Sequence, residues 1–298
     1  MKILVTGACG QLGHDVIAQL KSKNHEPVGS DLSKERYEGE AAFYELDITK
    51  ETDVQRVMRK VQPDALIHCA AWTAVDAAEE EDNQTQVYKI NAEGTKYLAH
   101  ECAHLDIPMM YISTDYVFDG EGDQPWEPDC TDYAPLNVYG KTKLEGEKAV
   151  AQSLRKYFIV RIAWVFGEHG ENFVKTMLRV AKTHPQLSVV NDQIGTPTYT
   201  GDLARLLVDM IETDKYGYYH ATNEGGYISW YEYALEIFRR AGVKDVSVKP
   251  VTTKEYGLSK AARPYNSRLD RSKLIQQGFT PLPTWQDALS RYLQNIRE

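Results

Sequence analysis

Apolar and polar positions in the first half of the chain alternate between two rhythms. Short runs rich in β-branched and aromatic residues read as strands: "KILVT" at 2–6, "EPVGSD" at 26–31, "AAFYELD" at 41–47, "DALIHCA" at 64–70, "PMMYIST" at 108–114 and "YFIVRIA" at 157–163. Between them the spacing becomes helical, at 10–23, about 51–61, about 83–104 and from 138 onward. Strand–helix alternation of this length predicts a parallel sheet covered by helices on both faces. After residue 165 the rhythm changes. A helix at about 172–183, the short strand "SVVN", a helix at 201–213 and the strand "GYYHAT" (217–222) precede a tail of helices and Gly/Pro-rich turns. That tail predicts a smaller lobe built from discontinuous segments.

One stretch fits neither rhythm. "DGEGDQPWEPDCTDYAPLN" (119–137) has no clear periodicity, and long loops in compact domains are often functional. Trp126 and Tyr133 predict a loop that packs over something.

Composition narrows the classes. The 298 residues suffice for one large domain or two lobes, and the net charge of −9 argues against a nucleic-acid surface. The start "MKILVTGACG" is too short in apolar residues for a signal-peptide core, and no run is long enough to span a bilayer. Cys9, Cys69, Cys102 and Cys130 show no paired spacing and read as free thiols of a reducing cytoplasm. The eight histidines are scattered without metal-ligand spacing, so no metal is expected.

Chemistry enters at the first strand–helix turn, "TGACGQLG". Gly7, Gly10 and Gly13 recur every three residues after a strand and open a helix, where small residues let backbone approach a pyrophosphate and the helix start offers free N–H groups. Asp31 ends the second strand, where a carboxylate can accept from both ribose hydroxyls of NAD and repel the extra phosphate of NADP. These features predict a Rossmann-type, doubly wound α/β sheet. Residues 1–165 plus about 198–223 would form the NAD(P)-binding domain, and about 166–197 plus 224–298 a smaller α+β substrate lobe. Ser113 and Thr114 close a central strand at its carboxyl end, where ligands bind in such sheets. In "VYGKTKLEGEKA" (138–149), Tyr139 and Lys143 stand four apart and share a helix face. Competing motifs fail: "GKT" at 140–142 would need glycine at 135, which is Pro, and there is no G-x-S-x-G.

Together the glycine turn, the strand-end Ser/Thr and Tyr-x-x-x-Lys resemble the extended short-chain dehydrogenase/reductases. Within them, "TAVDAAE", "YISTDYVFDG", "YGKTKLEGE", "RIAWVFG", "NFVKTML", "VVNDQIGTPTYT" and "ARPYNSRLD" resemble the dTDP-4-dehydrorhamnose reductase family over about residues 3–293. The resemblance implies NADH- or NADPH-dependent reduction of the C4 ketone of dTDP-4-dehydro-L-rhamnose. It implies Tyr139 as general acid, Lys143 as its partner and holder of the nicotinamide ribose, and Thr114 on the reacting oxygen. A nearby ammonium is expected to lower the Tyr139 pKa from its ordinary value of about 10. The resemblance further implies cofactor contacts at Gln11, Leu12, Asp47, Ile48, Ala70, Ala71 and Asn91. Sugar contacts fall at Thr73, Val75, Tyr116, Trp164, Asn172 and Gln193. Trp72 stands where the family often has a smaller aromatic residue. The expected partner is a dTDP-sugar, for a monomer or homodimer. Two rivals share features with this reading: a reductase or epimerase of a related dTDP-deoxysugar, and a non-catalytic regulatory subunit resembling that of methionine adenosyltransferase.

Overall fold

The structure is a computed structural model, described here for residues 1–37 and 39–296. Among these residues seven strands pair into one parallel sheet: β1 (Lys2–Thr6), β2 (Glu26–Asp31), β3 (Ala42–Glu45), β4 (Ala65–His68), β5 (Met109–Thr114), β6 (Tyr157–Ile162) and β7 (Gly217–His220). Their spatial order is β7-β6-β5-β4-β1-β2-β3, and every neighbouring pair is parallel. The order reverses beside β1, which is where this architecture opens a ligand crevice.

Strand periodicity explains the two-sided core. Ile3, Val5, Ile67, Met110, Ile112, Phe158 and Val160 face one side, where helices α1 (Gln11–Ser22) and α7 (Thr200–Ile211) cover them. Their alternates Leu4, Leu66, Met109, Tyr111 and Ile159 face the other, under α2 (Glu51–Val61) and α4 (Thr95–Leu105). The helix expected over about 83–104 is present but not uniform. Its first part, α3 (Glu81–Tyr88), reaches α4 through a π-helical segment, Lys89–Gly94. There the buried Asn91 side chain accepts from the Trp72 N–H (2.8 Å) and donates to Thr142 Oγ1 (3.1 Å). Such bulges often mark functional positions.

A third core lies away from the sheet. It joins α6 (Phe173–Val180), α8 (Trp230–Ala241) and α9 (Trp285–Asn295) through Val174, Tyr233, Ile237, Phe238, Leu289 and Tyr292. The strand expected at "SVVN" runs Gln186–Val190 and pairs in parallel with Ser247–Val251.

The aperiodic segment is packed down, as its aromatic residues suggested. Phe118 stacks on Trp126 with centroids 4.5 Å apart, and the fully buried Arg161 of β6 reaches the segment from below. Arg161 donates to the Pro128 carbonyl (3.1 Å) and the Tyr133 hydroxyl (3.0 Å). It also makes a two-point ion pair with Glu147 at 2.9 and 2.8 Å. A buried pair held this way costs desolvation, and removing one partner costs more.

Candidate active site

The glycine turn is as tight as its spacing implied. Gly7 has a φ of +68°, and a Cβ there would stand 2.7 Å from the Ala70 backbone nitrogen. A Cβ on Gly13 would collide with the Gly7 carbonyl oxygen. The turn thus brings the ends of β1 and β4 together and delivers α1 close beneath them. No side chain caps α1, so its first N–H groups remain at the positive end of the helix dipole. Asp31 accepts from the Cys9 N–H (3.0 Å) and the Leu32 N–H (2.8 Å), which fixes its carboxylate beside the turn. The same carboxylate, after burial, pushes the Cys9 thiol up to about 11.

Tyr139 and Lys143 are placed by α5 (Val138–Ser153). Asn137 caps the helix through an acceptor bond from the Gly140 N–H (2.8 Å) and ties its own amide to the Ala262 carbonyl (2.7 Å). Tyr139, Lys143 and Glu147 then follow at four-residue intervals on one face. Lys143 is 3% exposed; its Nζ donates to the Ile112 carbonyl (2.7 Å) and sits 4.1 Å from the Tyr111 ring centre. Burial brings its pKa down to about 7, against the opposing charges of Glu147 and Cys69.

Here one expectation is corrected. The Tyr139 phenol is held above its ordinary pKa, not below it. Burial is the main cause, a hydrogen bond with Thr114 opposes it, and the Asp115 charge adds to it. The Lys143 ammonium is turned to the β5 backbone, on the Ile112 carbonyl. Thr114 Oγ1 donates to Asp115 Oδ1 (3.1 Å) and accepts from the Tyr116 N–H (3.2 Å). Burial raises Asp115 to about 6, despite hydrogen bonds from Ser267 and Thr114.

One cleft of about 890 Å³ joins these groups. Along its cofactor side run Gly7, Gly10, Gln11, Leu12, Gly13 and Asp31, then Asp47, Ile48, Ala70 and Ala71. Thr114, Tyr139 and Lys143 form its floor, and Thr73, Val75, Tyr116 and Trp164 its far wall. Three residues expected at the site are not on its wall. Asn91 holds the Trp72 backbone, as described. Asn172 caps α6, accepting from the Lys175 N–H (3.0 Å) and donating to the Gly167 carbonyl (2.8 Å). Gln193 is buried and donates to Thr253 Oγ1 (3.0 Å).

The cleft also has residues that sequence reading did not nominate: Asp115, Trp230, Phe173 and Arg263. Asp115 was adjacent to a nominated residue, and Arg263 lay within the quoted run "ARPYNSRLD". Nothing local marked Trp230. It stacks on Trp164 with centroids 3.7 Å apart at 15°, and Trp164 itself takes a left-handed φ of 52° to reach it. That conformation is costly for a bulky residue and is held only where surroundings enforce it. Arg263 pairs with Asp76 at 2.6 Å, bridging the C-terminal segment to the loop after β4.

The crevice at the sheet reversal, the glycine turn, and a Tyr-x-x-x-Lys helix under a strand-end threonine define the extended short-chain dehydrogenase/reductase class. Within it, the chain belongs to the RmlD substrate binding domain family, whose profile matches residues 1–298. It is 42% identical to a dTDP-4-dehydrorhamnose reductase of Aggregatibacter actinomycetemcomitans, over 99% of this chain and 98% of the relative. A solved dTDP-4-dehydrorhamnose reductase of Clostridium acetobutylicum superposes with a TM-score of 0.91 at 43% identity, covering 100% of both chains. A dTDP-4-dehydrorhamnose reductase of Bacillus anthracis, solved in complex with NADP, gives 0.90 at 39% identity over 99% of both chains.

Proposed function

We propose that this protein reduces the C4 ketone of dTDP-4-dehydro-L-rhamnose to dTDP-L-rhamnose with NADH or NADPH. The observation that carries the reading is one continuous cleft that passes from the glycine turn, over Thr114 and Tyr139, to the Trp164 wall. The reductases that share about two-fifths of this sequence over full length support the choice of substrate.

The residues present fit a dinucleotide. Gly7 and Gly13 let the turn close against the Cys69–Ala70 backbone and against itself, which sets the uncapped start of α1 on the cleft, and Asp31 is oriented beside it. A bound nicotinamide cofactor supplies the hydride that adds to C4. The chain's own groups do the rest. Tyr139 gives its proton to the developing C4 alkoxide, and burial suits it to keep that proton until then. Thr114 lies beside the phenol in the same cleft, where its hydroxyl can hydrogen-bond the reacting oxygen. Lys143, on the cleft wall and with its pKa lowered by burial to about 7, would hold the nicotinamide ribose. Trp164 and Trp230 present apolar faces to the sugar's C–H groups and keep water from the reacting carbon. Residues 1–165 with 198–223 serve as the cofactor-binding unit, and 166–197 with 224–298 as the nucleotide-sugar unit. No described helix is long and apolar enough to cross a membrane; we place the protein in the cytoplasm, as a monomer or homodimer.

The test is turnover with product identification. Purified protein, dTDP-4-dehydro-L-rhamnose and reduced cofactor are expected to give one oxidised cofactor per dTDP-L-rhamnose. Sugar conversion without net cofactor oxidation would instead identify an epimerase.

A further inference from the structure

His14 stands one residue beyond the last glycine of the cofactor turn, on the first turn of α1, with Asp15 next to it. Far along the chain, His169 sits on the loop that leads into α6. The fold brings them together: the two imidazole centroids are 3.5 Å apart, with ring planes at 33°. A ligating nitrogen from each ring and a carboxylate oxygen of Asp15 all lie within 4.8 Å of one another. His14 Nδ1 is shielded from solvent, has no hydrogen-bond partner among the described residues, and is 3.5 Å from Asp15 Oδ1.

Both halves of the cluster are held. Lys175 Nζ donates to the carbonyls of Glu168 (2.6 Å) and Gly170 (2.8 Å), the residues on either side of His169. Gln11, one turn ahead of Asp15, donates to the Glu171 carbonyl (3.1 Å) and accepts from the Asn172 amide (3.2 Å). Ligands of a tetrahedral ion with bonds of about 2.0–2.1 Å stand roughly 3.3 Å apart, so small side-chain rotations on a fixed backbone complete such a set. The side chains of His14 and Asp15 are 35% and 19% exposed, which leaves an ion a way in.

We propose that His14, Asp15 and His169 bind one divalent late transition ion of the zinc class. Two imidazoles and a carboxylate select Zn²⁺, Co²⁺ or Ni²⁺ over Mg²⁺ or Ca²⁺, which prefer all-oxygen shells. The expectation of scattered histidines without ligand spacing held only along the sequence; the third ligand arrives from a distant loop. The ion ties the turn beneath the cofactor to the loop that carries Glu171 and Asn172. The inference stands apart from the reductase reading, since it uses no residue assigned to hydride transfer.

The experiment uses tag-free, chelator-treated full-length protein titrated with Zn²⁺ by calorimetry and with Co²⁺ by visible absorption. One ion per chain is expected, with a rise in Tm on addition of Zn²⁺. His169→Ala and Asp15→Asn should each weaken binding by about tenfold or more. His104→Ala, on an exposed histidine elsewhere, should leave it unchanged. Thermal melts without metal confirm that each variant is folded, and the near-isosteric Asp15→Asn keeps the test valid if His169→Ala is not. No stoichiometric binding up to about 1 mM ion, or affinity unchanged in both ligand variants, overturns the proposal.

Discussion

The two sides of the cleft are built in opposite ways. The cofactor side is laid down by short, contiguous stretches: Gly7 to Gly13 shape one turn, and Tyr139 to Lys143 span one turn of helix. The sugar side is assembled from far-apart segments, with Trp164 after β6, Trp230 at the start of α8, Asp115 after β5 and Arg263 near the C-terminus. On the first side the backbone does the recognising, and its geometry is a local property. On the second, side chains meet only because the third core draws α6, α8 and α9 against the sheet's carboxyl edge. The contrast teaches where substitutions should act independently of cofactor binding and where they should not.

The sharpest break is at Tyr139, where the two sides meet. Tyr139→Phe removes a proton donor and little volume, and kcat is expected to fall about 10²–10⁴-fold. Cofactor affinity, measured by fluorescence titration, should hold. A variant retaining more than about half its activity would refute the assignment.

Arg161 anchors the long loop from beneath the sugar side. Arg161→Met should leave the buried Glu147 carboxylate without its partner and cost about 3–5 kcal/mol of stability by denaturant unfolding. Replacing both partners, Arg161→Met with Glu147→Leu, should recover most of that loss. Equal destabilisation by the single and double changes would show that the pair acts by packing alone.

Trp164→Ala tests whether the aromatic wall belongs to the sugar side only. KM for the nucleotide sugar should rise and kcat fall, each by about tenfold, the worth of roughly 1.4 kcal/mol, while NADH affinity changes little. Simple melting with normal sugar binding would assign the Trp164–Trp230 stack to packing.

Lys143 gives a pH signature. Its folded pKa of about 7 lies below the unfolded value of about 10.4, so between these limits the unfolded chain binds the extra proton. The burial cost is therefore complete below pH 7 and fades as pH rises. Stability of the wild type relative to Lys143→Met should climb by up to about 1.4 kcal/mol per pH unit from pH 7 to 9. A flat difference across that range would show that Lys143 is charged throughout.

The smallest effect concerns Asp31. Its carboxylate should make NADH at least as good as NADPH, although Lys34 and Arg36 follow closely. A preference for NADPH of about tenfold would mean that Asp31 serves only its bonds to Cys9 and Leu32.

Much of this molecule was readable along the chain. Strand periodicity set which residues face which side of the sheet, because alternation is a property of the extended backbone itself. The glycine turn was equally legible, since its requirement is steric and spans seven residues. The Tyr139–Lys143 face followed from helical pitch. What sequence alone could not decide was every feature that depends on what lies opposite. The direction of the Tyr139 pKa shift was expected to be downward and is upward, because it depends on how little water remains around the phenol. Arg161 can sit fully buried in β6 only because Glu147 and the Pro128 carbonyl surround it. Trp230 and His169 carry no local mark, and their roles exist only through contacts with Trp164 and His14. Covalent neighbours determine backbone conformation, but electrostatics and side-chain packing depend on proximity in space, which the tertiary fold alone establishes.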